Sequence, residues 1–258
     1  MNVTLSLGHL AVIDDYLPPG EFEALSDLVA SRRYPTRLKF LRSSEIRYAM
    51  NSAIHLTDKG RALVGAVARE AARRRVLTAL PAGDAADAVT RRFDDVRELL
   101  QSTVGPADDA WLGYTRGFFR STAGASMGWH NDEKVYSGAY VFYASKHWDA
   151  DWGGELCVRP PLENISGLSP TQRLDALDHG QYIFPRPNRL VLIRGGTPHR
   201  VSPVTIWAQA PRYTVTGFFV NSAGLLEQER ELRLRYLDTS RVRRAAIDLG
   251  MRLMRGRT

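Results

Sequence analysis

Met127-Gly128-Trp129-His130-Asn131-Asp132 places an imidazole and a carboxylate one residue apart, at His130 and Asp132. In an extended segment the period-two alternation of a strand sends both to one side and turns Asn131 away. A third donor has to come from elsewhere in the chain. His199, within Gly196-Thr197-Pro198-His199-Arg200-Val201, is the candidate. Two imidazoles and one carboxylate suit Fe(II) and leave three coordination positions open. His130 and His199 each adjoin a strand-like run, so a β-sandwich can bring them together. For His9, His55, His147 and His179 a surface or hydrogen-bonded core position is expected.

Outward from this stretch, the second half of the chain has the texture of short strands. Residues 111–119 are rich in aromatics, and residues 135–143 alternate and carry Tyr136, Tyr140, Phe142 and Tyr143. Gly153-Gly154 marks a turn or bulge into 155–158, and residues 189–193 form the compact apolar run of a buried strand. Residues 200–204 and 213–220 complete the set. Such strands, separated by turn residues, predict a double-sheet jelly roll. Between 160 and 188 lies a polar segment too long for a plain connection. Arg212 opens the last strand, and an arginine pointing into a barrel is costly unless it meets an anion, which its bidentate fork suits.

The first half supplies support. Residues 10–13 read as a short buried strand, Pro18-Pro19-Gly20 breaks it, and residues 21–30 have helical spacing with Phe22, Leu25, Leu28 and Val29 on one face. Residues 32–58 give no clear pattern. Two helices are predicted over about 60–80 and 84–104, parted by Pro81-Ala82-Gly83. Residues 225–257 read as one or two helices with a basic face. The expected class is therefore α+β with a mainly β core: a double-stranded β-helix (jelly roll) flanked by N-terminal and C-terminal helices. One domain over 1–258 is expected, with the strand and supporting helices in 1–108, the catalytic jelly-roll core in 109–222 and the basic helical tail in 223–258.

Composition sets the outer limits. With 44% hydrophobic and 24% charged residues among 258, a sizeable core is available. The single cysteine, Cys157, excludes an internal disulfide and a thiolate-built metal site. A formal charge of +7 is compatible with an anionic substrate, nucleic acid or an acidic partner, and equally with a solvated basic surface. No stretch reaches the roughly 20 apolar residues of a membrane span, and the N-terminus has no basic leader. A cytoplasmic protein with no membrane partner is expected.

The order of five motifs resembles the 2-oxoglutarate- and Fe(II)-dependent dioxygenases of the prolyl-hydroxylase type. They are Trp129-His130-Asn131-Asp132; the run from Tyr143 to Gly153-Gly154-Glu155-Leu156; Asn188-Arg189-Leu190-Val191; Pro198-His199-Arg200-Val201-Ser202-Pro203-Val204; and Arg212-Tyr213. The resemblance implies that His130, Asp132 and His199 hold the iron, that Arg212 takes the distal carboxylate of 2-oxoglutarate, and that Tyr143 offers its phenol to the same carboxylate. It implies O2 as oxidant, ascorbate as a candidate reductant, and release of succinate and CO2 on hydroxylation of a C–H bond. A carboxylate at 132 favours hydroxylation, because related halogenases keep a small residue there to admit halide. Two departures from the family pattern are an insertion at 205–210 and an enlarged 160–188 segment.

Trp129 is a candidate wall of the substrate pocket, and Arg194 a candidate contact for an anionic substrate. The expected substrate is a small molecule or peptide: a peptidyl, carrier-tethered or free amino-acid-like group. The alternatives are an oxidative nucleic-acid demethylase and a non-catalytic jelly-roll binding module. Against the first, the segment after Arg212 lacks the asparagine and further arginine of the nucleic-acid repair branch, and no aromatic and basic interleaving for stacking bases stands out.

Overall fold

A computed structural model of the chain describes residues 1–32, 34, 45–57, 59, 84–132, 136–160, 169–172 and 180–226, with backbone only over 45–56. The predicted helix over 60–80 lies outside these residues, as does the predicted C-terminal helix beyond 226. Among the described residues no helix is long and apolar enough to cross a membrane.

Among the described residues eleven strands form two sheets. In chain order they are β1 (Asn2–Ser6), β2 (Leu10–Asp14), β3 (Glu45–Leu56), β4 (Gly113–Ser121), β5 (Met127–His130), β6 (Tyr136–Tyr143), β7 (Leu156–Val158), β8 (Gln181–Ile183), β9 (Leu190–Arg194), β10 (His199–Val201) and β11 (Arg212–Val220). The major sheet has seven strands in the order β1-β2-β9-β6-β11-β4-β3, and the minor sheet four in the order β5-β10-β7-β8. Every ladder between named strands is antiparallel. The fold is the predicted jelly roll, dominated by its sheets, with few helices.

Strand alternation explains how the major sheet serves two cores. Tyr140 and Phe142 of β6, Leu190 and Leu192 of β9, and Val215 and Phe219 of β11 pack with Leu25 and Val29 of α1 (Pro19–Ser31), Val89 of α2 (Asp84–Arg91) and Leu100 of α3 (Arg97–Thr103). The opposite parity, Tyr143, Val191 and Ile193 with Leu10 and Val12 of β2, meets Leu156, Val158 and Ile183 of the minor sheet. Both faces of β9 are thus covered, which is why the run 190–193 is apolar without alternation. Each of these buried aliphatic side chains contributes on the order of 2 kcal/mol.

The helix predicted over 84–104 is broken. A 3₁₀ turn, Phe93–Val96, separates α2 from α3. Its tighter pitch aligns Phe93 with Val96, both buried, and lets Phe93 meet Tyr140 and Tyr114 edge-on with ring centroids 5.1 and 5.2 Å apart. Arg92 forks onto Glu21 of α1 through Nε and Nη2, at 3.1 and 2.6 Å. Beneath α2, the fully buried Arg116 of β4 donates to the Ala86 carbonyl and lies 2.5 Å from Asp87 Oδ1. Two strands were not anticipated. β1 is largely exposed, with only Leu5 of its alternating Val3 and Leu5 packed on the core, and β3 lies within 32–58 and extends the major sheet from β4. The strand expected at 200–204 is shorter and begins at His199, with Val204 forming an isolated bridge to Gly153.

The end of β2 is locked to the core by charge. Asp14, 2% exposed at the end of β2, accepts from Arg189 Nε and Nη2 at 2.6 and 2.9 Å and from Arg186 Nη1 at 3.2 Å. The Arg189 hydrogen bonds hold its carboxyl below the usual value. Acidification therefore protonates the unfolded chain first, so the contribution is complete above pH 3.8 and is lost as pH falls through the lower folded value. Asp14→Ala is expected to cost about 3 kcal/mol at pH 7 in urea unfolding, because two arginines lose a buried partner. The gap to wild type should close in acid; one that stays constant with pH would contradict the role of the charge.

Candidate metal centre

His130 ends β5 and His199 begins β10, and the two are direct cross-strand partners. Their rings face each other with centroids 4.2 Å apart. Each Nδ1 meets the backbone carbonyl two residues earlier, Gly128 for His130 at 2.8 Å and Thr197 for His199 at 2.9 Å. A carbonyl can only accept, so Nδ1 carries the proton and the Nε2 lone pair is free. Both Nε2 atoms address Asp132: His130 at 3.7 Å from Oδ1 and His199 at 3.4 Å from Oδ2. The three donor atoms lie within 4.8 Å of one another.

Burial pushes the His199 imidazole below its usual pKa, with Asp132 opposing and His130 assisting. The ring is therefore neutral at pH 7, the form that ligates metal. Two imidazoles whose Nδ1 is fixed on a carbonyl and a carboxylate, converging without mutual saturation, fit a divalent first-row ion.

A second set of groups lies at the start of β11. Tyr213 packs on the helix side of the major sheet, so alternation turns Arg212 toward the minor sheet. Arg212 is 4% exposed; its Nη1 donates to the Gly154 carbonyl and its Nη2 to Ser121 Oγ at 3.4 Å. Its Nε is buried without a partner among the described residues. Gly153 and Gly154 have φ of 69° and 75°, and a Cβ at Gly154 would come within 3.1 Å of Nη1. Glycine here both permits the turn and lets the backbone close on the guanidinium. Tyr143, 1% exposed, sits on the adjacent strand β6. Burial pushes its phenol up to about 12, so it keeps its proton and can donate. A buried cation with an orphaned N–H and a neutral phenol nearby fit a carboxylate.

Two candidate residues are placed elsewhere than expected. Trp129, between Gly128 and His130, points to the outer face of the minor sheet and lies under Arg200, whose Cζ is 5.3 Å from the ring centroid. It does not line the space around His130. Arg194 shares the parity of Leu190 and Leu192 and reaches the helix side, where Nε and Nη2 donate to the carbonyls of Thr103 and Ser102 at 3.0 and 2.9 Å. It caps the end of α3 and is spent there. Residues that sequence reasoning did not single out are Gly128 and Thr197, whose carbonyls orient the imidazoles, and Ser121. Only the register Arg212↔Ser121 brings Ser121 to the guanidinium. The 205–210 insertion projects Ile206 and Trp207 into solvent and leaves Arg212 at the head of β11.

Residues 117–220 match the model of the 2OG-Fe(II) oxygenase superfamily. The fold is similar to that of a Pseudomonas putida prolyl-4-hydroxylase, with TM-score 0.53 and 16% identity over 83% of this chain and 93% of the other. It is also similar to a prolyl hydroxylase from Trichoplax adhaerens solved with a hypoxia inducible factor oxygen degradation domain peptide fragment, with TM-score 0.52 and 17% identity over 87% of each chain. No curated protein matches the chain in sequence.

Proposed function

We propose that this chain, a 2OG-Fe(II) oxygenase by its matching core, hydroxylates an unactivated C–H bond of a peptidyl, carrier-tethered or free amino-acid-like substrate. The observation that carries this reading is the pairing of three convergent metal donors with a buried arginine whose Nε has no partner. Fe(II), 2-oxoglutarate and O2, when bound, supply the oxidising chemistry, so that one substrate hydrogen becomes hydroxyl while 2-oxoglutarate leaves as succinate and CO2.

The protein's part is holding, orienting and excluding water. His130 and His199 present Nε2, and Asp132 presents a carboxylate that offsets the ion's charge. Arg212 and Tyr143 would hold the distal carboxylate of 2-oxoglutarate, the guanidinium by charge and the phenol by one hydrogen bond. Val191, Ile193 and Leu156 keep the surrounding sandwich dry, which strengthens both interactions. The amino-acid-like substrate is supported by the two structural relatives, a prolyl-4-hydroxylase and a prolyl hydroxylase.

Tyr143→Phe removes one charge-assisted hydrogen bond and leaves the packing in place. The KM for 2-oxoglutarate should rise about tenfold or more at little cost in folding stability. An unchanged KM would show that the phenol points elsewhere.

The reading is tested by a succinate-release screen against amino acids, peptides and methylated oligonucleotides. The expected result is succinate release coupled to a mass gain of one oxygen on an amino acid or peptide. Release coupled only to loss of methyl from an oligonucleotide would overturn the substrate class. Absence of succinate throughout, in protein that binds Fe(II), would support a binding module.

A further inference from the structure

The face of the minor sheet turned away from the metal donors carries a pair that the reaction does not use. β10 is fixed on one side by β7, where all three of its residues have ladder partners. On its other side stands β5, an edge strand in the sheet order. That ladder has two pairs, His199↔His130 and Val201↔Met127, with a register irregularity between them. Such a bulge leaves residues out of the ladder, here between the strand that carries His130 and the strand that carries His199.

Trp129 and Arg200 are the neighbours of those two histidines, and alternation puts both on the outer face. There Arg200 lies over the indole at 5.3 Å, and its Nε is buried with no hydrogen-bond partner among the described residues. A guanidinium on an indole face is a cation–π contact, for which tryptophan is the best ring. One strand pair therefore carries histidine against histidine inside and tryptophan against arginine outside.

We propose that the Trp129–Arg200 stack clamps β5 to β10 across the bulge and sets the spacing of His130 and His199, making Trp129 and Arg200 positioning residues for the metal ion. This rests on the reading of His130, Asp132 and His199 as its ligands. The clamp acts through strand separation: without it β5 is held by two interrupted ladder pairs, and His130 moves relative to His199.

The test is titration of metal-free protein with Co(II), read by its visible d–d absorption, beside thermal melting of the same metal-free samples. Arg200→Met keeps the aliphatic stem and removes the cation; Trp129→Leu keeps bulk and removes the ring. Each is expected to weaken Co(II) affinity about tenfold, the scale on which groups outside the ligand sphere act. Trp129→Phe should keep most of the affinity, and the double variant should bind no worse than the weaker single one, because either change breaks the same contact. The proposal is overturned if both single variants bind Co(II) like wild type while only melting falls, or if the two losses multiply. Should Arg200→Met not fold, Arg200→Gln and Trp129→Leu carry the comparison, and wild-type affinity in both overturns it. Wild-type protein that binds no Co(II) would instead remove the metal centre, a failure distinct from that of the clamp.

Discussion

Asp132→Ala is expected to abolish substrate-dependent succinate formation and to lower divalent-metal affinity by more than the roughly tenfold to hundredfold that follows loss of an outer-sphere partner. The carboxylate is the only anionic member of the donor cluster and lies within 3.4 Å of His199 Nε2 and 3.7 Å of His130 Nε2. Without it two imidazole rings remain and the ion's charge is not offset. Asp132 also opposes the effect of burial on His199, so its removal drives that imidazole further toward neutrality and away from any ion pair. Loss of turnover therefore reports a missing ligand, not a newly charged histidine. Asp132 lies beyond the end of β5, so the metal-free variant should melt close to wild type. Undiminished turnover would sink the assignment.

Arg212→Met should show a different signature. Truncating one member of a buried, hydrogen-bonded charge pair costs about 2 to 5 kcal/mol, which raises the Kd for 2-oxoglutarate by at least about thirtyfold. The folded protein should hold its stability or gain some, because a buried cation with an unpaired Nε gives way to an apolar chain of similar length. Weaker cosubstrate binding together with an equal or higher Tm identifies an anion site kept at the fold's expense. A fall in Tm with unchanged affinity for 2-oxoglutarate would make Arg212 a structural residue, holding Gly154 and Ser121 in place.

Much of this arrangement is legible in the sequence because strand alternation is a strict rule. The apolar run 189–193 marks the strand that is covered on both faces, whereas Asp132 follows the end of β5 and meets His130 from outside the strand. The edge strands are harder to read: β1 alternates only over Val3 and Leu5, and Val3 is exposed, so the pattern is too short to stand out. The break inside 84–104 follows from tertiary packing of Phe93 among Tyr114, Tyr140 and Phe219, which no local propensity encodes. Trp129 and Arg194 were open to a better reading. The alternation that turns Asn131 from the metal side turns Trp129 away as well, and Arg194 shares the parity of the helix-facing Leu190 and Leu192. Ser121 and the carbonyls of Gly128 and Thr197 become visible only once register and ring orientation are in place.

The central claim is that one site binds both Fe(II) and 2-oxoglutarate. Anaerobic titration of the metal-free protein with Fe(II) followed by 2-oxoglutarate tests it most directly. The expected result is a weak visible charge-transfer band that requires both additions, saturates at one equivalent of each, and is lost in Asp132→Ala and weakened in Arg212→Met. Fe(II) binding with no band on addition of 2-oxoglutarate would contradict the account.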